Sequence, residues 1–225
     1  MQEELENLEN ILSTPQKPVA AIIGGSKISS KLSLLNTLID KVDMMFIGGG
    51  MANTFLKAQG KEIGKSICED DLLETAREIM ANAKAKNTEI MLPSDGVVTQ
   101  EFKENAESRI VSTDNLGDGM MLDIGPKSVL EASAKLQEMK TIVWNGPLGA
   151  FEIAPFDTGT IGLARTVASL TAEGKVKSIA GGGDTVAALG KAGLSNSFSY
   201  LSTAGGAFLE WLEGKDLPGV AALHE

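Results

Sequence analysis

The chain has 225 residues and a mass of 23.6 kDa, and its 20 Lys and Arg against 30 Asp and Glu leave a net charge of −10, which argues against nucleic acid or an anionic membrane as its main partner. Its 25 Gly amount to about 11% of the chain where ~7% is usual. One Cys (Cys68) and one His (His224) leave no disulfide and no thiolate zinc site, and argue against a Ser-His-Asp triad or a His-rich metal centre. Chemistry here falls to Lys, Arg, carboxylates, hydroxyls, backbone amides or a hard metal.

In chain order, residues 3–12 predict a helix with Leu5, Leu8, Ile11 and Leu12 on one side, ending at Ser13-Thr14-Pro15 and in need of a partner surface. The apolar run Val19–Ile23 leads into Gly24-Gly25, and a helix follows Lys27 with Leu32, Leu35 and Ile39 on one face. Met44–Ile47 leads into Gly48-Gly49-Gly50 and a helix-like stretch from Met51 to Ala58. A charged outer helix spans residues 70–85, and residues 89–92 lead into Pro93-Ser94-Asp95-Gly96. Residues 93–123 break the rhythm with short β-like pieces at 96–99 and 110–112, which reads as a β insertion. Pro126 opens a helix with Val129, Leu130, Ala134, Leu136 and Met139. Residues 141–144 lead into Asn145-Gly146-Pro147-Leu148-Gly149, and a helix follows from Thr160 to Leu170. Residues 178–180 lead into Gly181-Gly182-Gly183, and the helix from Asp184 closes at Gly190 or Gly193. Tyr200-Leu201 leads through Ser202-Thr203 to Gly205-Gly206 and a last helix ending at Gly214. Strand, glycine turn and helix repeated in this way specify a single α/β domain of three layers, Rossmann-like, with a mostly parallel sheet, helices on both faces and a small β insertion.

Ligands of open parallel sheets bind beyond the carboxyl ends of the strands, where helix N-termini attract anions. Five glycine turns at one sheet edge therefore point to a polyanion such as a nucleotide, although each glycine alone also serves tight packing. Lys27 and Lys31, at i and i+4 in the first turn of a helix, sit where the dipole disfavours cations. They read either as anion ligands or as a solvated basic face. Asp184, directly after a glycine turn, reads either as an N-cap or as a Mg²⁺ ligand.

Other patterns fail. Gly60-Lys61-Glu62-Ile63-Gly64-Lys65-Ser66 is one residue short of a Walker A loop and follows a helix, so it reads as a surface turn. No GxGxxG occurs, since Val186 stands where the third glycine belongs. This counts against an NAD-dependent oxidoreductase. Cys68 lies beside Glu69-Asp70-Asp71, which raises a thiol pKa and makes it inert. Trp144 and Trp211 read as core.

Six segments in order resemble one family: Gly24-Gly25-Ser26-Lys27, residues 47–52 (IGGGMA), residues 122–126 (LDIGP), residues 144–149 (WNGPLG), residues 181–185 (GGGDT) and residues 202–207 (STAGGA). Together they are similar to the carboxyl-terminal, nucleotide-binding half of phosphoglycerate kinase. The resemblance runs along essentially the whole chain, and residues 1–225 read as that domain without the family's 3-phosphoglycerate-binding amino-terminal half.

The resemblance implies reversible phosphoryl transfer between 1,3-bisphosphoglycerate and ADP, giving 3-phosphoglycerate and Mg-ATP. It implies that Lys27 holds the transferring phosphoryl and Lys31 the nucleotide phosphates. Asp184 ligates Mg²⁺, while Thr185 and the amides of Gly182 and Gly183 meet the phosphate chain. Gly25, Ser26, Gly48, Gly49, Phe102, Leu122 and Pro147, with Gly149, frame the nucleotide. Asn145 places phosphates, Glu152 binds ribose hydroxyls, and Gly205 and Gly206 face the acyl phosphate. Such a reaction needs positioning and charge neutralisation rather than a proton-shuttling His. Ala204 stands where the family usually has Gly. The expectation is a monomeric, cytoplasmic chain that binds Mg-ADP or Mg-ATP with little or no turnover by itself. The alternative is a stand-alone adenine-nucleotide-binding module without catalysis.

Overall fold

The computed structural model describes residues 12, 14–202, 208, 212 and 214. Six strands, β1 (Val19–Ile23), β2 (Met44–Ile47), β3 (Glu89–Met91), β7 (Thr141–Asn145), β8 (Lys177–Gly181) and β9 (Tyr200–Ser202), form one sheet in the order β3-β2-β1-β7-β8-β9. Every pairing is parallel; Ala20 faces Met44 on one side of β1, and Val19 faces Thr141 on the other. The central strands VAAII, MMFI and TIVWN are buried along their whole length, the pattern of a sheet covered on both faces.

Alternate side chains feed two cores. Ala21, Ile23, Met45, Ile47, Val143 and Ile179 pack under α1 (Leu32–Ile39), α2 (Gly49–Ala58) and α3 (Leu73–Ala85). Ala20, Ile22, Met44, Phe46, Ile142 and Trp144 pack under α4 (Pro126–Leu136), α5 (Thr158–Ala172) and α6 (Gly183–Lys191). The three-layer α/β reading therefore holds. Leu12 is buried in the first core together with Phe208 and Leu212, so this end of the first expected helix finds its partner within the chain. The rest of that helix, with Trp211 and His224, lies outside the described residues.

Some boundaries and faces differ from expectation. The outer helix starts with a 3₁₀ turn at Asp70–Leu72 before α3 proper. On α4 the buried face is Ser128, Ala132 and Leu136. Leu130 is 71% exposed and Ala134 is exposed too, because the i, i+4, i+8 stripe that faces the core starts at Ser128 and misses both. Lys27 is not helical: residues 24–31 form turns, and α1 begins at Leu32 with Lys31 at its N-cap. Of the two stops considered for α6, Gly193 lies just past the Ala192 C-cap, with φ +72°.

The insertion is a three-stranded antiparallel sheet, β5-β4-β6, of β4 (Asp95–Thr99), β5 (Ser108–Ser112) and β6 (Met120–Ile124). Two buried aspartic side chains fasten it to the body. Asp95 accepts the amides of Lys127 (3.0 Å) and Ser128 (2.7 Å) at the start of α4. Asp123 accepts the amide of Gly159 (2.7 Å) at the start of α5. The loop at residues 60–66 is more than a surface turn. Ile63 and Ser66 are buried, and Ser66 Oγ accepts the Met121 amide (2.9 Å). Among the described residues no helix is long and apolar enough to cross a membrane.

Candidate functional site

Because all six strands run parallel, the turns after β1, β2, β7 and β8 emerge at one edge, and their backbones bond to one another. Gly24 donates to Asn145 O (3.0 Å), Gly49 to Leu148 O (2.9 Å) and Met51 to Gly25 O (3.0 Å). Asn145 Nδ2 donates to Gly181 O (2.8 Å), and the Gly146 amide donates to Thr185 Oγ1 (2.7 Å). Trp144 is buried and its indole N–H donates to Gly146 O (2.8 Å). Two glycines show different reasons for their residue type. At Gly24 a Cβ would lie 1.9 Å from Pro147 O, so a side chain is excluded by packing alone. Gly182, the N-cap of α6, has φ +99°, a conformation that L residues rarely adopt.

Two hollows lie against these turns. The larger, about 440 Å³, is mainly apolar and takes Gly25, Ser26, Gly49, Phe102, Leu122, Pro147, Gly149 and Glu152 into its walls. The smaller, about 230 Å³, is lined by Lys31, Asn145, Gly182, Gly183 and Thr185. Asp184 borders both. A slot with an apolar body opening onto amides and a cation has the chemistry to hold a flat apolar group joined to an anionic tail. Another hollow of about 490 Å³ lies on the insertion, lined by Glu101, Glu107 and Asp118 together with Arg109; its excess of carboxylates suits no polyanion.

Lys31 turns inward and donates to Asn145 O (3.0 Å) and Asn145 Oδ1 (2.5 Å). Burial lowers its pKa from 10.5 to about 8, with Asp184 pulling the other way. Asp184 is exposed in the first turn of α6 and makes no side-chain capping bond, so the N-cap reading fails. Its carboxylate has no hydrogen-bond partner among the described residues. No group of three or more His, Cys, Asp or Glu among those residues could hold a metal. One free carboxylate beside an anion cradle nevertheless fits Mg²⁺, which takes one or two protein carboxylates with phosphate oxygens and water.

Lys27 is exposed and borders neither hollow. Its loop is held by Glu69, which accepts both the amide (3.1 Å) and the hydroxyl (2.5 Å) of Ser29. Gly48 also lines neither: its amide donates to Ile23 O (2.9 Å), and a Cβ there would strike Leu148, so its role is close packing. Gly205, Gly206 and Ala204 lie outside the described residues. The sequence reading missed Ile67, Met120 and Phe151 in the larger hollow. Ile67 and Met120 arrive by tertiary packing with no local signal, whereas Phe151 adjoins Glu152 and was within reach. Cys68 is half-buried, and its pKa is raised first by burial and then by its hydrogen bond to Asp70, in keeping with an inert thiol.

Comparison with known proteins agrees with this architecture. The phosphoglycerate kinase family model matches residues 1–215. The chain is 58% identical over 225 residues to a phosphoglycerate kinase of Methylorubrum populi, covering all of this chain and 56% of that protein. It is 59% identical to one of Xanthobacter autotrophicus, covering 57% of it. The structure of phosphoglycerate kinase from Coxiella burnetii superposes with TM-score 0.91 at 48% identity, over 99% of this chain and 57% of that one. The crystal structure from Pyrococcus horikoshii gives 0.82 at 26% identity, over 100% and 56%. The chain thus spans just over half the length of the relatives it matches, and it belongs to the phosphoglycerate kinase family.

Proposed function

We propose that this chain is the Mg-ADP/Mg-ATP-binding half of a glycolytic, cytoplasmic phosphotransferase with a carboxyl-group acceptor. The reaction moves a phosphoryl group reversibly between 1,3-bisphosphoglycerate and ADP. The observation that carries this reading is the pair of adjoining hollows that share Asp184, one apolar and one lined by Lys31 and the α6 amides. The larger receives adenine and ribose, with Glu152 on the sugar hydroxyls. The smaller receives the phosphates, on the Gly182 and Gly183 amides, Thr185 and Lys31. Lys27, exposed in the turn that follows β1, reaches the transferring phosphoryl. Bound at Asp184, Mg²⁺ supplies charge neutralisation across the phosphate oxygens. A carboxylate leaves readily from an acyl phosphate, so no protein acid is required. In the family the 3-phosphoglycerate-binding half supplies the rest of the site for the acyl-phosphate substrate, so residues 1–225 by themselves turn over little or no substrate.

Calorimetric titration tests the reading. The chain binds Mg-ADP, and Asp184→Ala removes the Mg²⁺ dependence of that binding while leaving metal-free ADP affinity within about threefold, since one metal ligand is lost and no phosphate donor. Equal Mg²⁺ dependence in the two proteins overturns the assignment of Asp184.

A further inference from the structure

At the carboxyl end of α6, Lys191 does not turn back on its own helix. Its Nζ donates to the backbone oxygen of Phe151 (2.8 Å) and lies 2.9 Å from Asp157 Oδ2. A lysine in the last turn of a helix ordinarily meets that helix's free carbonyls or solvent; this one crosses to another segment and is satisfied there. Phe151 is buried and is the residue immediately before Glu152, and both border the larger hollow. Asp157, the N-cap of α5, has a side chain only 13% exposed and Lys191 one 42% exposed, so the ion pair is half-sheltered and solvent screens it in part.

The same helix begins at Gly183, Asp184 and Thr185, on the wall of the smaller hollow. α6 is thus a strut about 13 Å long. One end meets the phosphate side of the site and the other is tied, through Lys191, to the loop bearing Glu152.

We propose that Lys191 is a positioning residue. By holding the Phe151 carbonyl and Asp157 together, it sets the Glu152 carboxylate against the sugar hydroxyls of a bound nucleotide and fixes the spacing between sugar and phosphate subsites. The proposal rests on the nucleotide reading above. It assigns Lys191 no contact with ligand, and its effect is carried by the backbone between Phe151 and Asp157.

The test compares ADP with 2′,3′-dideoxy-ADP, by calorimetry on the 225-residue chain. The intact chain prefers ADP by about tenfold, as expected for hydroxyls bonded to a carboxylate. In Lys191→Met that preference falls below about twofold, while the affinity for dideoxy-ADP is unchanged. Lys191→Arg, whose guanidinium can still reach both partners, keeps most of the preference. A merely structural lysine would move both ligands equally. Asp157→Asn, which removes the charge from one arm of the clamp and keeps the side chain's shape, gives an intermediate preference and serves if Lys191→Met does not fold. Full preference for ADP in folded Lys191→Met, or in Asp157→Asn, overturns the proposal, as does a wild-type chain that binds both ligands equally. Absence of ADP binding by the wild-type chain overturns the nucleotide reading itself.

Discussion

Lys31 offers a quantitative test of the phosphate subsite. Burial holds its ammonium at a pKa of about 8 in the unliganded chain. A phosphate placed against it supplies the counter-charge that burial withholds, and returns the pKa toward the ordinary 10.5 or above. The free site is then about nine-tenths protonated at pH 7, half at pH 8 and one-tenth at pH 9, whereas the occupied site stays protonated throughout. Nucleotide binding accordingly takes up about half a proton at pH 8, and affinity falls about tenfold, or ~1.4 kcal/mol, between pH 7 and pH 9. Titrations at pH 8 in two buffers of different ionisation enthalpy read the uptake directly, at a pH where ADP is fully ionised. Lys31→Arg keeps its proton at every pH used, so its uptake drops to near zero and its pH dependence flattens. Uptake below about a tenth of a proton in the wild-type chain, or equal uptake in Lys31→Arg, refutes the reasoning. The unliganded fold follows the same linkage. Between pH 8 and 10.5 the unfolded chain binds more protons at this site than the folded one, so stability rises with pH across that window.

Asp123 titrates in the opposite sense. Burial raises its pKa to about 8, against the pull of the Gly159 and Ile124 amides and the Thr158 hydroxyl. The folded chain then holds a proton that the unfolded chain has lost between pH 4 and 8, and this site's contribution to stability declines as pH rises through that range. Urea unfolding at pH 5, 6 and 7 shows Asp123→Asn gaining on wild type by up to about 1.4 kcal/mol per pH unit; a constant difference rejects the protonated carboxyl. Leu130→Lys changes stability by less than about 0.5 kcal/mol, because the side chain is mostly in solvent. A loss of 2 kcal/mol or more, typical of a core leucine, would place Leu130 in an apolar contact that its exposure denies.

Much of the architecture was legible because two-sided burial leaves a plain trace. VAAII, MMFI and TIVWN each run apolar without alternation up to a glycine or Asn-Gly turn, and each is a central strand. What local pattern resolved poorly was which residues of a segment face inward. Leu130 and Ala132 lie on opposite sides of α4, and the side that meets the core carries Ser128, Ala132 and Leu136. The two lysines share a helical spacing, yet Ser30 Oγ bonds back to Lys27 O (2.8 Å) and Glu69 draws Ser29 aside. The segment therefore stays a turn, and the lysines part company. The glycine turns located the edge where the two hollows lie, but part of the remaining wall comes from Ile67, 56% exposed, and from Phe102, 64% exposed, which the family resemblance named and local pattern did not. Nothing in their own neighbourhoods marks exposed apolar side chains of this kind.

The two aspartic side chains that fasten the β insertion decide how separable it is. α4 and α5 make no side-chain capping bond from their own N-cap residues, Gly125 and Asp157; Asp95 and Asp123 bind those helix starts from the insertion instead. The small sheet is thus a shared component of two helices in the main body, and not a bolt-on module. Shortening it to a bare loop leaves both helices with orphaned amides at their first turns, at about 1 kcal/mol or more each. A minimised version of this domain therefore has to write new caps into residues 125–128 and 157–159 before it discards the strands.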